Sequence, residues 1–347
     1  MSGPLAGLKI IELAGIGPGP FAGMMLADHG AEVIRIERPS TPIDMADPTL
    51  RSRRILNLDL KRDEDRAKLL DLIETADALF EGYRPGTIER MGLAPEEMHR
   101  RNPRLVVGRM TGWGQTGRNA MVAGHDINYI AVTGALHAIG PAERPLPPLA
   151  LAGDYGGGGM LLAFSLLAAI LHAQRTGEGQ VIDCAMCDGA GLLMTPFFAY
   201  QAAGWWKDER ASNILDGGAH FYNSYRTGDG HFVAIGSIEP QFYAILLEKL
   251  QLTEDPEFLD QMNQANWPRL IGRLDAVFAT KTRAEWCDLF DGTDACFAPV
   301  LSLSEAASHP LATERASFVS IEGVTQPAPA PRYSATPLES PRAPRAL

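Results

Sequence analysis

The sequence predicts an α/β fold with a large Rossmann-like parallel-sheet domain and a smaller α+β domain. In the first 200 residues, short apolar runs alternate with amphipathic stretches, which is typical of βαβ units. Near residue 215 the pattern changes to paired strands followed by helices. The length of 347 residues suits two domains, or one large domain with a satellite.

The first βαβ unit raises the question of a dinucleotide site. Residues 8–13 and 32–36 are predicted strands, and the helix between them begins after the loop 15–20. The glycines of this loop resemble a dinucleotide fingerprint, and Glu37 lies where a ribose-binding carboxylate would fall. However, Pro20 occupies the position of the third glycine, and proline has no N–H to offer a pyrophosphate. The sequence therefore disfavours NAD binding.

The remaining pattern divides the chain. Elements of the large domain are predicted at 57–60, 62–76, 78–81, 95–101, 105–110 and 180–186. The apolar run 160–171 is shorter than the ~20 residues that span a bilayer, so it is predicted to be a helix buried on all sides. Elements of the smaller domain, which begin with a hairpin around Asp229 and Gly230, are predicted at 221–225, 231–236, 240–250, 267–279, 283–290 and 296–301. The predicted domains are 1–200 and 215–324, with a linker at 201–214 and an extended Pro-rich segment at 325–347.

Composition limits the classes of function. The net charge of −11 makes attraction to nucleic acid or to an anionic membrane unexpected. Of the four cysteines, Cys184 and Cys187 form a C-x-x-C pair, for which a redox or metal role is open. The pair is expected to be buried free thiols instead, because Cys184 lies in a predicted strand and no second pair completes a zinc site. No other cluster has metal-ligand spacing. So few cysteines, together with no recognisable signal peptide, favour the cytoplasm.

A local excess of positive charge lies between residues 35 and 62. This segment has seven basic and four acidic residues in a chain that is acidic overall; the basic residues are Arg35, Arg38, Arg51, Arg53, Arg54, Lys61 and Arg62. Arginine matches the geometry of phosphate, so a cluster at the ends of parallel strands suits a phosphorylated ligand. A solvated surface loop is the alternative.

One histidine and one carboxylate are predicted to lie on polar, glycine-flanked turns that lead into buried structure. His125 follows Gly124, and Asp154 precedes four glycines, residues 156–159. An imidazole and a carboxylate are what a proton-transfer site needs. From spacing alone, a hydrogen-bonded structural histidine and an aspartate that caps a turn remain open.

Ordered motifs along nearly the whole chain connect these features. They are residues 12–15, 18–21, 81–86, 111–115, 124–129, 153–158, 215–219 and 238–243. Together they resemble the α-methylacyl-CoA racemases of the family III (CaiB/BaiF-type) CoA-transferase superfamily. The resemblance implies an interlocked homodimer, with the site between one subunit's large domain and the other's small domain. It also implies that 325–347 returns to complete the large domain.

The resemblance implies inversion of the C2 centre of 2-methylacyl-CoA thioesters through an enolate. His125 and Asp154 would be the two acid/base groups, and Glu239 would fix the tautomer of His125. Asp126 would orient the site and offer its backbone N–H to the enolate oxygen. No metal or separate cofactor is required, because coenzyme A is part of the substrate.

The resemblance also implies contacts to the thioester. The expected adenine-nucleotide contacts are Arg38, Asn57, Leu58, Asp59, Leu60 and Arg84. Gly124, Asn128 and Tyr129 are expected near the thioester itself. A CoA-transferase, in which Asp154 attacks the acyl group to form an anhydride, is the alternative function. A non-catalytic CoA-binding protein is a third, and the acyl group remains open.

Overall fold

The computed structural model describes residues 2–347 and divides the chain into two compact units. The first contains the segment up to Ala135, Pro148–Thr195 and Pro310–Leu347. The second contains Leu136–Pro147 and Pro196–His309. Compared with the predicted domains, residues 310–324 lie in the first unit and residues 136–147 in the second.

The strands are β1 Lys9–Leu13, β2 Glu32–Glu37, β3 Arg54–Asn57, β4 Ala78–Glu81, β5 Val106–Thr111, β6 Val181–Ala185, β7 Tyr222–Arg226, β8 Phe232–Gly236, β9 Phe297–Val300, β10 Phe318–Ile321, β11 Val324–Pro327 and β12 Arg345–Ala346. The α-helices are α1 Pro18–Asp28, α2 Asp63–Ile73, α3 Thr87–Arg90, α4 Pro95–Arg101, α5 Asp126–Ala131, α6 Ala135–Ala138, α7 Leu161–Thr176, α8 Met186–Leu193, α9 Thr195–Ala202, α10 Pro240–Leu250, α11 Pro256–Leu259, α12 Trp267–Phe278, α13 Arg283–Phe290, α14 Leu303–Ala306 and α15 Pro310–Glu314. A 3₁₀ turn at Pro48–Leu50 and a π-helix at Leu151–Met160 complete the set.

The predicted Rossmann-like sheet is confirmed. Seven parallel strands lie in the order β12-β3-β2-β1-β4-β5-β6. Connections run outward in one direction from β1 and in the other from β4, so the loops after these two strands diverge. This switch point opens a crevice at the carboxyl ends of the strands, which is where such sheets bind ligands.

Alternation along the strands builds two apolar layers. On β1, Ile10 belongs to the layer that contains α1 and α7, and Ile11 to the layer that contains α2 and α4. On β5, Val106 and Val107 divide in the same way. The strands are apolar on both faces because helices cover both faces of a parallel sheet.

Helix α7 differs from its prediction. Its Leu162, Leu166 and Ala173 are buried against the sheet, but Met160, Phe164 and Leu171 are 52%, 70% and 52% exposed. The expectation of burial on all sides is therefore wrong, and one apolar stripe faces outward. The helical run is also longer than predicted because the glycine segment before α7 is helical. Within residues 2–347, Leu151–Thr176 is one run whose length and composition would suffice to cross a membrane, and half of its most apolar window is buried.

The second unit has a three-stranded antiparallel sheet in the order β7-β8-β9. Its predicted hairpin is confirmed, with Tyr222 opposite Gly236 and Arg226 opposite Phe232. Its core is rich in aromatic side chains, including Phe221, Trp267 and Trp286. In the first unit, the C-terminal segment adds β12 beside β3 at the edge of the parallel sheet.

A buried histidine makes the second unit sensitive to acid. His220 is fully buried, and its Nε2 lies 2.7 Å from the Tyr243 hydroxyl, which donates to the carbonyl of Phe258. Its Nδ1 has no partner within residues 2–347. Burial lowers the pKa of His220 to about 4. The unfolded chain therefore takes up a proton near pH 6.5, whereas the folded chain does so only near pH 4.

We expect the wild-type protein to lose ~2–3 kcal/mol of unfolding free energy through His220 between pH 7 and pH 4.5. The loss is complete only below the folded pKa. Urea unfolding of wild type and His220→Gln across this range measures the difference in slope. His231→Gln, an exposed histidine of the same unit, is the control and should retain the wild-type slope. Equal slopes for wild type and His220→Gln would contradict the assignment.

Candidate active site

A cavity of about 640 Å³ occupies the crevice at the carboxyl ends of β1, β4 and β5. We call it the first cavity. Its walls are formed by the segments 15–19, 82–85, 110–113 and 122–125, together with Asn128, Tyr129, Asp154 and Met186. The sequence motifs around His125 and Asp154 therefore meet in one place, although 29 positions separate the two residues in the chain.

His125 is the residue immediately before α5. Its backbone is extended, and its N–H donates to the Asn128 side-chain oxygen at 3.1 Å. The Tyr129 hydroxyl donates to the carbonyl of Gly124, and the Tyr129 ring packs edge-on against Trp113 at 4.9 Å. These contacts fix both sides of His125, whose side chain is exposed to the cavity.

Asp126 connects the two halves of the site. Its carboxylate is buried, and Oδ2 accepts from the backbone N–H groups of Gly153 and Asp154 at 2.7 and 2.8 Å. The side chain of a residue adjacent to His125 thus holds the backbone that carries Asp154.

Asp154 lies in a π-helix, not in the glycine-rich turn that the sequence predicts. Such π segments occur often at functional sites. The carboxyl group is half-buried, and burial raises the pKa of Asp154 above its ordinary value. The negative charge of Asp126 raises this pKa further, and His125 opposes the shift. Asp154 therefore keeps a proton to higher pH than an exposed aspartate does.

The loop 15–19 forms the wall next to Asp154. Gly17 has a φ of 67°, and a Cβ at this position would lie 3.2 Å from Oδ2 of Asp154. Two buried arginines hold the loop: Arg35 donates to the carbonyl of Gly15 at 3.2 Å, and Arg53 to that of Pro20 at 2.5 Å. The sequence suggested only a dinucleotide site for this loop, and none of its residues was predicted to belong to the active site. Its three alternating glycines are the signal that indicated a close backbone approach.

A second cavity of about 430 Å³ lies beside the end of β3, and we call it the second cavity. Arg38, Leu58, Asp59 and Leu60 all line it, as does Lys61. The predicted strand 57–60 is wrong beyond Asn57: β3 spans Arg54–Asn57, and the three residues after it form a loop at the cavity wall. Arg84, by contrast, lines the first cavity together with Gly124, Asn128 and Tyr129.

The seven basic residues of segment 35–62 fall into two groups, those that form ion pairs and those that do not. Five of its seven cations form ion pairs with carboxylates; they are Arg35, Arg51, Arg53, Arg54 and Arg62. Within residues 2–347, the side chains of Arg38 and Lys61 form no ion pair, and both line the second cavity. The local charge excess thus consists mostly of structural pairs, with two cations left available beside a cavity.

Glu239 belongs to the second unit. It is exposed and occupies the position just before α10, where Pro240 is the first helical residue.

The four cysteines differ in their surroundings: Cys184 is buried, Cys187 and Cys287 are half-buried, and Cys296 is exposed. All four are free thiols, and of the pair expected to be buried, Cys184 is buried and Cys187 only partly so. Over residues 2–347, no group of three His, Cys, Asp or Glu side chains is arranged to hold a metal ion.

The sequence matches CoA-transferase family III over residues 5–346. The chain belongs to this family. It is 47% identical to mouse (Mus musculus) and 45% to human (Homo sapiens) α-methylacyl-CoA racemase, over 96% of this chain and 87% of each relative. The crystal structure of a CaiB/BaiF family protein from Brucella suis superimposes with a TM-score of 0.84 at 26% identity, covering 100% of this chain and 97% of that one. The predicted resemblance and fold class are thus confirmed.

In this member of CoA-transferase family III, glycines let the Asp154 helix pack closely on α8. A Cβ at Gly189 would lie 1.8 Å from the backbone oxygen of Gly157. A Cβ at Gly158 would come within 3.0 Å of both Gly153 and Pro18. No side chain larger than hydrogen fits at the α8 contact without movement of the backbone that carries Asp154.

We expect Gly189→Ala to destabilise the protein by roughly 1–3 kcal/mol or more, because overpacking must displace backbone. Gly191→Ala, two residues along the same helix, is the matched control. A Cβ there meets only a Thr133 methyl at 4.0 Å, so this variant should be neutral or slightly stabilising. Thermal and urea unfolding measure both variants. Equal stability of the two would show that the helix contact is not tight.

Proposed function

We propose that this protein is a racemase of 2-methyl-branched acyl-CoA thioesters. One observation carries the proposal: His125 and Asp154 face one cavity in a chain that is 45–47% identical to two α-methylacyl-CoA racemases. An imidazole and a carboxyl group with a raised pKa suit proton transfer near neutral pH.

In the proposed mechanism, one group removes the hydrogen at C2 and the other delivers a proton to the opposite face. His125 acts as base for one epimer while Asp154 is protonated, and the roles reverse for the other epimer. The raised pKa of Asp154 supports this exchange of roles, because a carboxyl group that ionises too readily is a poor proton donor. The enolate oxygen between the two steps needs a hydrogen-bond donor, for which we propose the backbone N–H of Asp126.

Two carboxylates would support the acid/base pair. Asp126 would position Asp154 through its hydrogen bonds to the backbone of residues 153 and 154, and would help keep its pKa high. Glu239 would accept from one nitrogen of His125 and so fix its tautomer. In the proposed dimer, Glu239 would reach the site from the smaller domain of the other subunit.

The second cavity suits the nucleotide end of coenzyme A. Arg38 and Lys61 are the cations there without ion pairs, and phosphate groups would provide partners for them. Leu58 and Leu60 would contact the adenine, with Asp59 between them and Asn57 at the end of β3. Arg84 would lie nearer the thioester, since it lines the first cavity.

CoA transfer is the second candidate function, because the chain belongs to a family described as CoA-transferases. Asp154 would then attack the acyl carbon and form a mixed anhydride with release of the CoA thiolate. Each 2-methylacyl-CoA epimer, incubated in D₂O, distinguishes the two. A racemase incorporates deuterium at C2 and interconverts both epimers. A transferase leaves C2 unlabelled and moves CoA to an added free acid, which would overturn our proposal.

We expect His125→Ala and Asp154→Ala to have opposite preferences between the epimers. Each variant should lose about 10²–10⁴-fold in exchange from the epimer for which the missing group is the base. Exchange from the other epimer should suffer less, because there the missing group only returns the proton. Initial rates of deuterium incorporation from each pure epimer measure this. Equal losses for both epimers in both variants would contradict two-base chemistry.

We also propose that the protein is a homodimer, as the family resemblance implied. The exposed residues Phe164 and Leu171 of α7, together with Met160 just before it, share one face of the helical run because they are spaced four and seven positions apart. Leu192 and Leu193 on α8 are exposed as well, at 61% and 50%. Exposed apolar stripes of this kind suggest a covering partner, and a second copy of the chain offers an identical apolar stripe.

We expect Phe164→Glu to weaken the dimer, because the new charge would be buried without a partner. Sedimentation velocity across a concentration series measures the change. Lys68→Glu, an equally drastic change on exposed α2, should leave the assembly as in wild type. A wild-type protein that is monomeric at micromolar concentration would refute the dimer, and co-sedimentation of wild type with phospholipid vesicles would identify a membrane as the covering partner.

A further inference from the structure

Tyr83 is the one residue of the described chain that lines both cavities. It follows β4 at the switch point of the sheet, and its side chain is half-buried. Within residues 2–347 its hydroxyl has no hydrogen-bond partner. Burial raises the pKa of the phenol, and Arg38 in the second cavity opposes that shift. The ring thus stands between the acid/base pair on one side and the free cations on the other.

A buried ion network holds the backbone of Tyr83. The Glu81 carboxylate is 1% exposed and accepts from the Tyr83 N–H at 2.5 Å. Its other oxygen accepts from Nε of Arg109 at 3.0 Å, and Arg109 also donates to Glu89 at 2.7 Å. Glu81 and Arg109 are direct neighbours across β4 and β5, so the network connects the carboxyl ends of both strands to α3.

This network does more than stabilise the fold. A buried ion pair adds little net stability compared with apolar residues of the same volume, because both charges lose their hydration. Here the network orients a loop. One oxygen of Glu81 is fixed by Arg109, so the other oxygen can orient the first N–H of the loop 83–85. Both Tyr83 and Arg84, which continue that loop, line the first cavity.

We propose that Glu81, held by Arg109 and Glu89, positions Tyr83 as a divider between the two cavities. The pantetheine arm of an acyl-CoA runs past this divider. Tyr83 thereby sets the preference for CoA thioesters over truncated thioesters. The inference rests on the proposed function, in which the nucleotide and the reacting carbon occupy different cavities. The arm connects these ends and carries two amide groups. The free hydroxyl of Tyr83 can donate to or accept from such an amide, while the ring forms an apolar wall for the methylene groups. Glu81 is a positioning residue in this arrangement.

The test compares a 2-methylacyl-CoA with the N-acetylcysteamine thioester of the same acid, which lacks the nucleotide and most of the arm. Deuterium exchange at C2 gives kcat and KM for each substrate, and calorimetry gives Kd. Tyr83→Ala should lower the ratio of kcat/KM for the CoA thioester to kcat/KM for the N-acetylcysteamine thioester about tenfold, chiefly by raising the KM of the CoA thioester. Tyr83→Phe should lower the same ratio by a smaller factor, because it removes only the hydroxyl and keeps the ring. Glu81→Gln should fall between Tyr83→Ala and wild type, and Glu64→Gln, a change on the exposed start of α2, should match wild type.

An unchanged ratio in Tyr83→Ala would overturn the inference, as would equal losses on both substrates. Far-ultraviolet circular dichroism and the unfolding midpoint identify any variant that fails to fold; Tyr83→Ala tests the divider even if Glu81→Gln does not fold. The two proposals fail differently. If wild type catalyses no exchange with either substrate, the racemase proposal fails, and the Kd of the acyl-CoA still decides the role of Tyr83. An unchanged Kd in Tyr83→Ala would then refute it.

Discussion

The buried pairing of Glu12 with Arg35 and Arg53 is the interaction on which the site depends most. Glu12 lies one residue before the end of β1, and its two oxygens accept from Arg35 on β2 and from Arg53, the latter at 3.0 Å. Glu12 and Arg53 are fully buried, so neither charge has water as an alternative partner. Removing one member of such a buried network typically costs ~3–5 kcal/mol, because the others remain uncompensated. The same arginines also hold the loop carbonyls beside Asp154, so the fold and the site share one set of contacts.

Two further carboxylates perform a similar task at the first cavity. Asp126 joins α5 to the helix of Asp154, and Glu81 orients the loop that begins at Tyr83. In each case a buried carboxylate accepts from backbone N–H groups at the edge of the first cavity. Carboxylates fixed in this way hold loops without filling the cavity, which leaves its volume for a ligand. Glu12, through its arginines, Asp126 and Glu81 thus hold the backbone near Gly15, Asp154 and Tyr83.

Much of the fold could be predicted from the sequence because local signals were strong. The bounds of β4 and α4 agree with their predictions, as does the hairpin of β7 and β8. The glycine segment before α7 could not be predicted, since consecutive glycines favour a turn when only local propensity is considered. Here they form a π-helix that packs against α8 and the first turn of α1, where there is no room for a side chain. The outward stripe on α7 was missed for a related reason: an apolar helix gives no sign of which face the same chain will cover.

The sequence by itself determined the parallel-sheet fold, the family and the residue types of a proton-transfer site. These features can be recognised from periodicity and from contiguous motifs, which do not depend on contacts between distant parts of the chain. Only the tertiary structure decided which of seven neighbouring cations remain available, because their carboxylate partners lie on other elements and as many as 41 positions away. It likewise decided that Gly17 faces Asp154 and that Tyr83 lines both cavities. Such relations arise where strand ends converge, and no local pattern encodes the distance between two loops that meet only after the sheet has formed.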